Sequence, residues 1–275
     1  MMLAGRRVLL TGATGGIGEA LALALAGAGA RLLLTGRSAD RLALLRDRVA
    51  ALGCEAQTVP ADLATVAGRD AVSASAAAFG VDTLINNAGC NRFGLYAGQQ
   101  AQDIESLLSC NLVAPLLLTR ALLPMLGHQP DACIVNVGSI LGSIATPGQA
   151  AYSASKFALR GFSEALRREV EADGISVLYV APRATDTAMN DAEARAINRR
   201  LGVTMDSADA VAAEILDAMA SRSRERYIGW PEKMFVRINA LFPGLVDRAL
   251  AKQRLVLTEN DAPADTLALS NGVKQ

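Results

Sequence analysis

Imidazole is almost absent from the 275-residue chain, which has one histidine, His128, and aromatic residues make up only 4% of it. No Gly-x-Ser-x-Gly elbow surrounds Ser139 or Ser143, so a Ser-His-Asp hydrolase is disfavoured, and His128, after the apolar run to Leu126, reads as a cap on a helix end. The four cysteines, Cys54, Cys90, Cys110 and Cys133, lie far apart with no Cys-x-x-Cys pair, which argues against a disulfide framework or a zinc site. They read as core thiols in a reducing compartment, and Cys90 as a packed thiol without an evident base. Charge of one sign is lacking too: Lys+Arg and Asp+Glu both number 27, and no like-charged block marks a nucleic-acid partner. The longest uncharged stretch, Ala132 to Ser155, carries Asn136, Pro147 and Gln149 and makes a poor membrane span. The N-terminus has no secretory apolar region, and Arg6-Arg7 leads straight into a strand. These absences predict a soluble, cytoplasmic protein without a membrane span.

What is present begins at Arg7. Val8–Leu10 is a short apolar run of the kind a buried parallel strand shows, and Gly12, Gly15, Gly16 and Gly18 permit a tight turn into an Ala/Leu-rich helix from Glu19 to Ala28. A helix start offers unpaired N–H groups and partial positive charge, and glycines let a pyrophosphate approach the backbone. The Gly-x-x-x-Gly-x-Gly spacing differs from Gly-x-Gly-x-x-Gly, and no Lys-Ser/Thr follows to make a P-loop.

The rest alternates strand and helix: strands at 31–35, 55–59, 81–85, 132–137 and 175–180, helices at 39–52, to about 79, 103–126 and 151–172. The 103–126 helix is expected to be interrupted at Pro115 and to stop at Gly127-His128. A helix over 207–222 and a short strand at 226–229 follow. The pattern predicts an α/β fold, one doubly wound, Rossmann-like parallel sheet of about seven strands with helices on both faces, in a single domain over 1–252. Residues 183–206, polar and aperiodic after a strand end, are a candidate substrate lid; 233–252 is an amphipathic segment and 253–275 a loose tail. Burial of 233–252 against the protein's own sheet or a subunit partner is favoured over a membrane surface.

Gly36-Arg37 ends the second strand, where a dinucleotide site would place an acid to bond the adenosine ribose. Glycine in that place, followed by arginine, removes the carboxylate's repulsion of a 2′-phosphate and supplies a guanidinium to grip it, favouring NADP(H) over NAD(H). Tyr152 and Lys156 are four apart and share a helix face; an ammonium beside a phenol favours the phenolate, so the tyrosine pKa is expected to fall. A tyrosine so tuned exchanges a proton with an alcohol or carbonyl.

The ordered set of Thr11-Gly-x-x-x-Gly-x-Gly, Asn86-Asn87-Ala88-Gly89, Asn111, Ser139 and Tyr152-x-x-x-Lys156 resembles the short-chain dehydrogenase/reductase family, from about Arg7 to Met189. The resemblance implies Tyr152 as proton donor in reduction, Ser139 bonding the substrate oxygen, Lys156 holding the nicotinamide ribose and lowering the tyrosine pKa, and Asn111 anchoring a proton-relay water. It implies a cofactor set of Gly12, Thr14, Gly15, Gly16, Ile17, Gly18, Arg37, Asp62, Leu63, Asn87, Ala88, Gly89, Tyr152, Lys156, Pro182, Thr185 and Thr187. Among these, Asp62 and Leu63 are similar to adenine contacts, Asn87 to a ribose-side contact, and Thr185 and Thr187 to carboxamide and pyrophosphate contacts. Arg183 stands where the family commonly has glycine, placed to crowd the nicotinamide or reach an acidic substrate group. No metal is expected. The function implied is NADP-dependent hydride transfer to an apolar or medium-sized carbonyl, or from the corresponding alcohol, in a homodimer or homotetramer packed through the 103–126 and 151–172 helices. The alternative is an NADP-binding redox sensor or scaffold, whose mark would be a broken Ser/Tyr/Lys set.

Overall fold

A computed structural model describes residues 2–187, 196, 199–200 and 202–251. Its strands are β1 Arg7–Thr11, β2 Arg31–Gly36, β3 Ala56–Pro60, β4 Thr83–Asn86, β5 Cys133–Val137, β6 Ser176–Ala181 and β7 Glu225–Tyr227. The helices between them are α1 Gly16–Gly27, α2 Ala39–Ala50, α3 Val66–Phe79, α4 Ala101–Leu108, α5 Ala114–Leu126, α6 Ala150–Glu169, α7 Ala208–Ala220 and α8 Glu232–Leu241. All seven strands are parallel in the order β3-β2-β1-β4-β5-β6-β7, the doubly wound sheet expected from the alternation. The order in which successive strands are added reverses between β1 and β4, which pair in parallel through Val8↔Thr83, Leu9↔Leu84 and Leu10↔Ile85. Such a switch point opens a crevice at the carboxyl edge, where ligands bind in open α/β sheets.

Two apolar layers hold the sheet. Leu21, Leu25, Leu42, Leu45, Val211 and Ile215 from α1, α2 and α7 cover one face; Val72, Leu118, Leu122 and Leu166 from α3, α5 and α6 cover the other. Period-two side chains of the central strands feed both layers: Val8 and Leu10 enter the first, Leu9 the second. The uncharged Ala132–Ser155 stretch is β5, a turn and the start of α6. The helical run Ala101–Leu126 is long and apolar enough to cross a membrane by length and composition, yet Leu118, Leu122 and Leu126 lie in the second layer.

Three expectations are corrected in detail. The break in the long helix is a π turn over Ser109–Val113, ending two residues before Pro115, which lies in the first turn of α5 where the π turn has already interrupted the regular hydrogen-bond ladder. The amphipathic 234–252 segment is two pieces, α8 and a helical stretch over 243–251, separated at Phe242 before Pro243, because proline disfavours the helical conformation in the residue ahead of it. Strand and helix ends differ from the sequence reading by a few residues, as at the start of α1, which opens at Gly16 rather than Glu19, and at the end of α6, which stops at Glu169 rather than 172. The 253–275 tail and residues 188–195, 197–198 and 201 of the 183–206 segment lie outside the described residues.

Candidate active site

The glycine turn is shaped by contacts that leave no room for side chains. Gly12 has φ +62° and its missing Cβ would lie 2.7 Å from the Ala88 Cα; a Cβ on Gly18 would lie 2.1 Å from the Gly12 carbonyl oxygen. The ends of β1 and β4 are thereby pressed together. Thr11 Oγ1 donates to the Ile85 carbonyl and accepts from Asn87 and Ala88 N–H, while the Asn87 amide donates to the Thr11 and Gly12 carbonyls. Asn87 thus binds the turn. At α1 the N-cap is Gly15, exposed and without a capping side chain, whereas Ser38 caps α2 and Thr65 caps α3. The first N–H groups of α1 are left to whatever the turn binds.

Around this turn stand the other expected cofactor residues. Thr14 and Ile17 are partly buried, and Thr187 packs so closely on Gly16 that a Cβ there would lie 2.5 Å from its methyl. Gly36 faces Thr14, with 3.2 Å between its would-be Cβ and Thr14 Oγ1, and Arg37 is exposed beside it. Asp62 is exposed, its Oδ1 accepting from Ala64 N–H, while Leu63 packs on the second apolar layer. Pro182 is buried, its carbonyl accepting from Ile140 N–H, and Thr185 donates to the Arg183 carbonyl.

The expected proton-transfer residues converge at the same edge. Ser139 caps the short turn after β5, its Oγ accepting from Leu141 N–H, and lies close enough to Tyr152 in the first turn of α6 to influence its phenol. Lys156, one turn on and 4% exposed, donates to the Val137 carbonyl at 3.1 Å, with Nζ 5.7 Å from the centre of the Tyr152 ring. Asn111, in the π turn, accepts from Cys90 N–H at 2.8 Å and donates to the Cys90 carbonyl at 2.9 Å and to Ser155 Oγ at 3.2 Å. Gly89 lets Asn111 and Lys156 come close: its would-be Cβ lies 3.3 Å from Asn111 Oδ1 and 3.7 Å from Lys156 Nζ.

The electrostatics correct one expectation. In the chain by itself the Tyr152 pKa is pushed up to about 12, because burial penalises the phenolate more than the neighbouring Ser139 favours it. Burial likewise brings the Lys156 ammonium down to about 8, against a smaller raising effect of the Cys110 and Cys90 sulfurs. Desolvation outweighs the helix-face pairing read from the sequence.

Arg183 is corrected as well. Its guanidinium forks onto Asp206 at 2.6 and 2.9 Å and reaches Glu232 and the Trp230 carbonyl, and its stem lies against Gly229, at φ +102°. The arginine is committed to these partners instead of the nicotinamide side of the crevice. It joins the two ends of the 183–206 segment, where Thr185 and Asp206 also form a bridge, to the start of α8.

Several supporting residues escaped the sequence reading. The Asn86 amide donates to Thr119 Oγ1 and Asn136 Oδ1, and Asn136 donates to Ser163 Oγ, a buried polar chain linking β4, β5, α5 and α6 behind the site. Asn136 in an otherwise apolar strand was the available signal; its register with Asn86 was not. Tyr179, 1% exposed, donates to the Ser139 carbonyl and fixes the turn from below. Cys90 and Cys110 are only partly buried, unlike Cys54 and Cys133, so neither is the fully buried core thiol expected.

With this geometry in place, comparison with known proteins is informative. A family model described as short chain dehydrogenase matches residues 6–198. The chain is similar to nodulation protein G of Rhizobium sp. (strain N33), 38% identical over 224 residues that cover 76% of this chain and 89% of the relative. It is also similar to dehydrogenase/reductase SDR family member 7B of Bos taurus, 34% identical over 264 residues, 90% of this chain and 80% of the relative. Among solved structures, a short chain dehydrogenase/reductase from Burkholderia phymatum in complex with NAD superposes with a TM-score of 0.81 at 27% identity, over 89% of this chain and 96% of that one. A short-chain dehydrogenase from Sphingobium yanoikuyae in complex with NADPH gives 0.77 at 29% identity, over 88% and 95%.

Proposed function

Because the chain belongs to the short-chain dehydrogenase family of nicotinamide-dependent oxidoreductases, we propose that it is an NADP-dependent reductase of an apolar or medium-sized carbonyl compound. The observation that carries the reading is the gathering of Ser139, Tyr152 and Lys156, with Lys156 Nζ 5.7 Å from the centre of the Tyr152 ring, at the sheet edge where the uncapped α1 start opens.

The residues fit a dinucleotide. The bare Gly15 backbone and the α1 N–H groups would hold the diphosphate, Gly36 and Arg37 the adenosine end, and Lys156 the nicotinamide ribose. Asp62 and Leu63 would meet the adenine, and Thr185 and Thr187 the carboxamide and pyrophosphate. When bound, the nicotinamide supplies or accepts the hydride. The side chains handle the proton. Ser139 and Tyr152 lie side by side and would bond one substrate oxygen together, and a phenol with its pKa pushed up to about 12 keeps its proton at neutral pH, as a donor in reduction must. Lys156, brought down to about 8, is close to proton exchange near neutrality and supports resupply of that proton. Asn111 stands in a π turn, which disturbs the regular helical carbonyl ladder, in keeping with its anchoring a relay water.

Ile140, Ile144, Val236 and Val246 form a third, buried apolar cluster between the Ser139 turn and the C-terminal helices, and this apolar setting beside Ser139 supports an apolar carbonyl compound over a charged one. The exposed apolar side chains of Val113 in the π turn, Leu117 on α5 and Phe157 on α6 support a homo-oligomer packed through those helices. A cytoplasmic setting suits the free thiols. A panel of ketones with NADPH, followed by the near-ultraviolet absorbance of the reduced nicotinamide, tests the function. Turnover is expected for at least one apolar ketone, with a loss of roughly 100-fold or more in Tyr152→Phe; an undiminished variant would remove Tyr152 from its role.

A further inference from the structure

The segment that follows β7 carries apolar side chains on two sides, and the protein covers only one of them. Val236 and Val246 are buried against Ile140 and Ile144, with Ile238 and Leu250 packed at the border of that cluster. Asn239 Nδ2 donates to the Ser143 carbonyl at 3.0 Å, which fastens α8 to the turn that begins at Ser139. The other side is uncovered: Trp230, just before α8, and Leu241, Phe242 and Leu245, at its end, are each more than half exposed, and Met234 and Phe235 are exposed as well. Met234 and Leu241, seven apart, lie on one stripe of the helix. Phe242 N–H donates to the Ile238 carbonyl and Leu245 N–H to the Phe242 carbonyl, so the exposed stripe runs on through the break before Pro243. We propose that this face docks on an anionic lipid surface, its exposed indole, leucines and phenylalanines entering the interface while Lys233, Arg237 and Arg248 meet the headgroups.

Charge selects the occupant. Lys233, Arg237 and Arg248 are all exposed, and Lys233 and Arg237, four apart, form a row beside the Met234–Leu241 stripe. Lys233 Nζ lies 5.6 Å from the centre of the Trp230 ring, so a cation and the indole sit together at one end of the face. Residues 230–250 hold two acids, and Glu232 is already countered by Arg183 at 3.2 Å, which leaves Asp247. A chain whose cations and anions are equal in number therefore gathers positive charge around this apolar face. Exposed apolar area flanked by Lys and Arg is the composition with which a helix lies in the headgroup region of a bilayer, and tryptophan is favoured at that depth. Each cation near an anionic surface adds to the attraction. Two copies of the chain meeting through this face would instead enclose the three cations of each, with Asp247 as the one acid left to pair them. The sequence pattern favoured burial of the whole 233–252 segment, and the structure buries one side of it.

Trp230 is the single tryptophan of the chain, so its fluorescence reports on this face. The test titrates the full chain with vesicles of phosphatidylcholine, and with vesicles that also contain phosphatidylglycerol, and follows Trp230 emission and co-sedimentation. Expected with the anionic vesicles are a blue shift and quenching by brominated acyl chains, with roughly ten- to hundred-fold weaker binding to the neutral ones. Added salt should weaken the binding further. Arg237→Gln with Arg248→Gln should weaken it roughly ten- to thirty-fold, and Leu241→Ser with Leu245→Ser roughly ten-fold or more, both with unchanged unfolding midpoints. Should the serine variant fail to fold, the exposed arginine pair carries the test. Unmoved Trp230 emission, equal binding to both kinds of vesicle, or wild-type binding in a folded variant would overturn the proposal. So would a chain that ignores vesicles and loses a subunit contact in sedimentation when Leu241 and Leu245 become serine, which gives the face to a second copy.

Discussion

Lys156 buries an ammonium against the Val137 carbonyl, and its lowered pKa makes that burial a stability term with a definite sign. The unfolded side chain holds its proton to about 10.5 and the folded one to about 8, so the unfolded state binds more protons between these values and stability rises with pH across that window. Replacing the ammonium by an apolar side chain removes this dependence. Denaturant unfolding of the wild type and Lys156→Met should therefore show a difference that shifts in the wild type's favour by up to about 3 kcal/mol between pH 8 and 10.5. A pH-independent difference would sink the assignment of burial as the cause. Arg37 is the other residue with a sharp expectation. If it grips a 2′-phosphate, Arg37→Ala should cost NADPH binding about 1.5–3 kcal/mol, roughly ten- to hundred-fold, and leave NADH binding nearly unchanged; calorimetric titration with both nucleotides decides it.

The strand–turn–helix unit of β1 and α1 is the element that must hold its shape within tenths of an ångström. A methyl at Gly18 would collide with the Gly12 carbonyl and crowd the Asn87 amide, which cannot move without opening the β1–β4 contact. Gly18→Ala is expected to lower stability by about 1–3 kcal/mol and to abolish nucleotide binding, read by chemical denaturation and titration calorimetry. Wild-type affinity in that variant would mean that the turn is not the cradle. The α4–π turn–α5 run works differently: its local break turns Asn111 toward Cys90 and Ser155, and a regular helix through Ser109–Val113 would rotate that amide away.

Across the molecule, Arg183 ties the loop after β6 to the residues before α7 and to the start of α8. Its side chain is 13% exposed and that of Asp206 18%, so this pair is better shielded than the surface bridges elsewhere, such as Arg168–Glu164. A double-mutant cycle of Arg183→Met with Asp206→Asn should give a coupling of roughly 0.5–3 kcal/mol in unfolding free energy. A value of zero would make the contact incidental. The same arginine marks the limit of sequence reading: a charge in place of a small residue beside the expected nicotinamide site looked like a feature of binding, and its partners, 23 and 49 positions away, made it a fastener.

By itself the sequence determined the α/β alternation, the seven parallel strands, the glycine turn and the Ser139, Tyr152 and Lys156 set, because each rests on local periodicity, backbone freedom or an ordered motif within a short window. Only the tertiary structure decided the direction of the Tyr152 and Lys156 pKa shifts, the Asn86–Asn136–Ser163 chain and the fate of Arg183. These depend on burial and on contacts between residues distant in the chain. Desolvation and hydrogen-bond partnership are properties of the packed molecule, and no spacing along the chain encodes them.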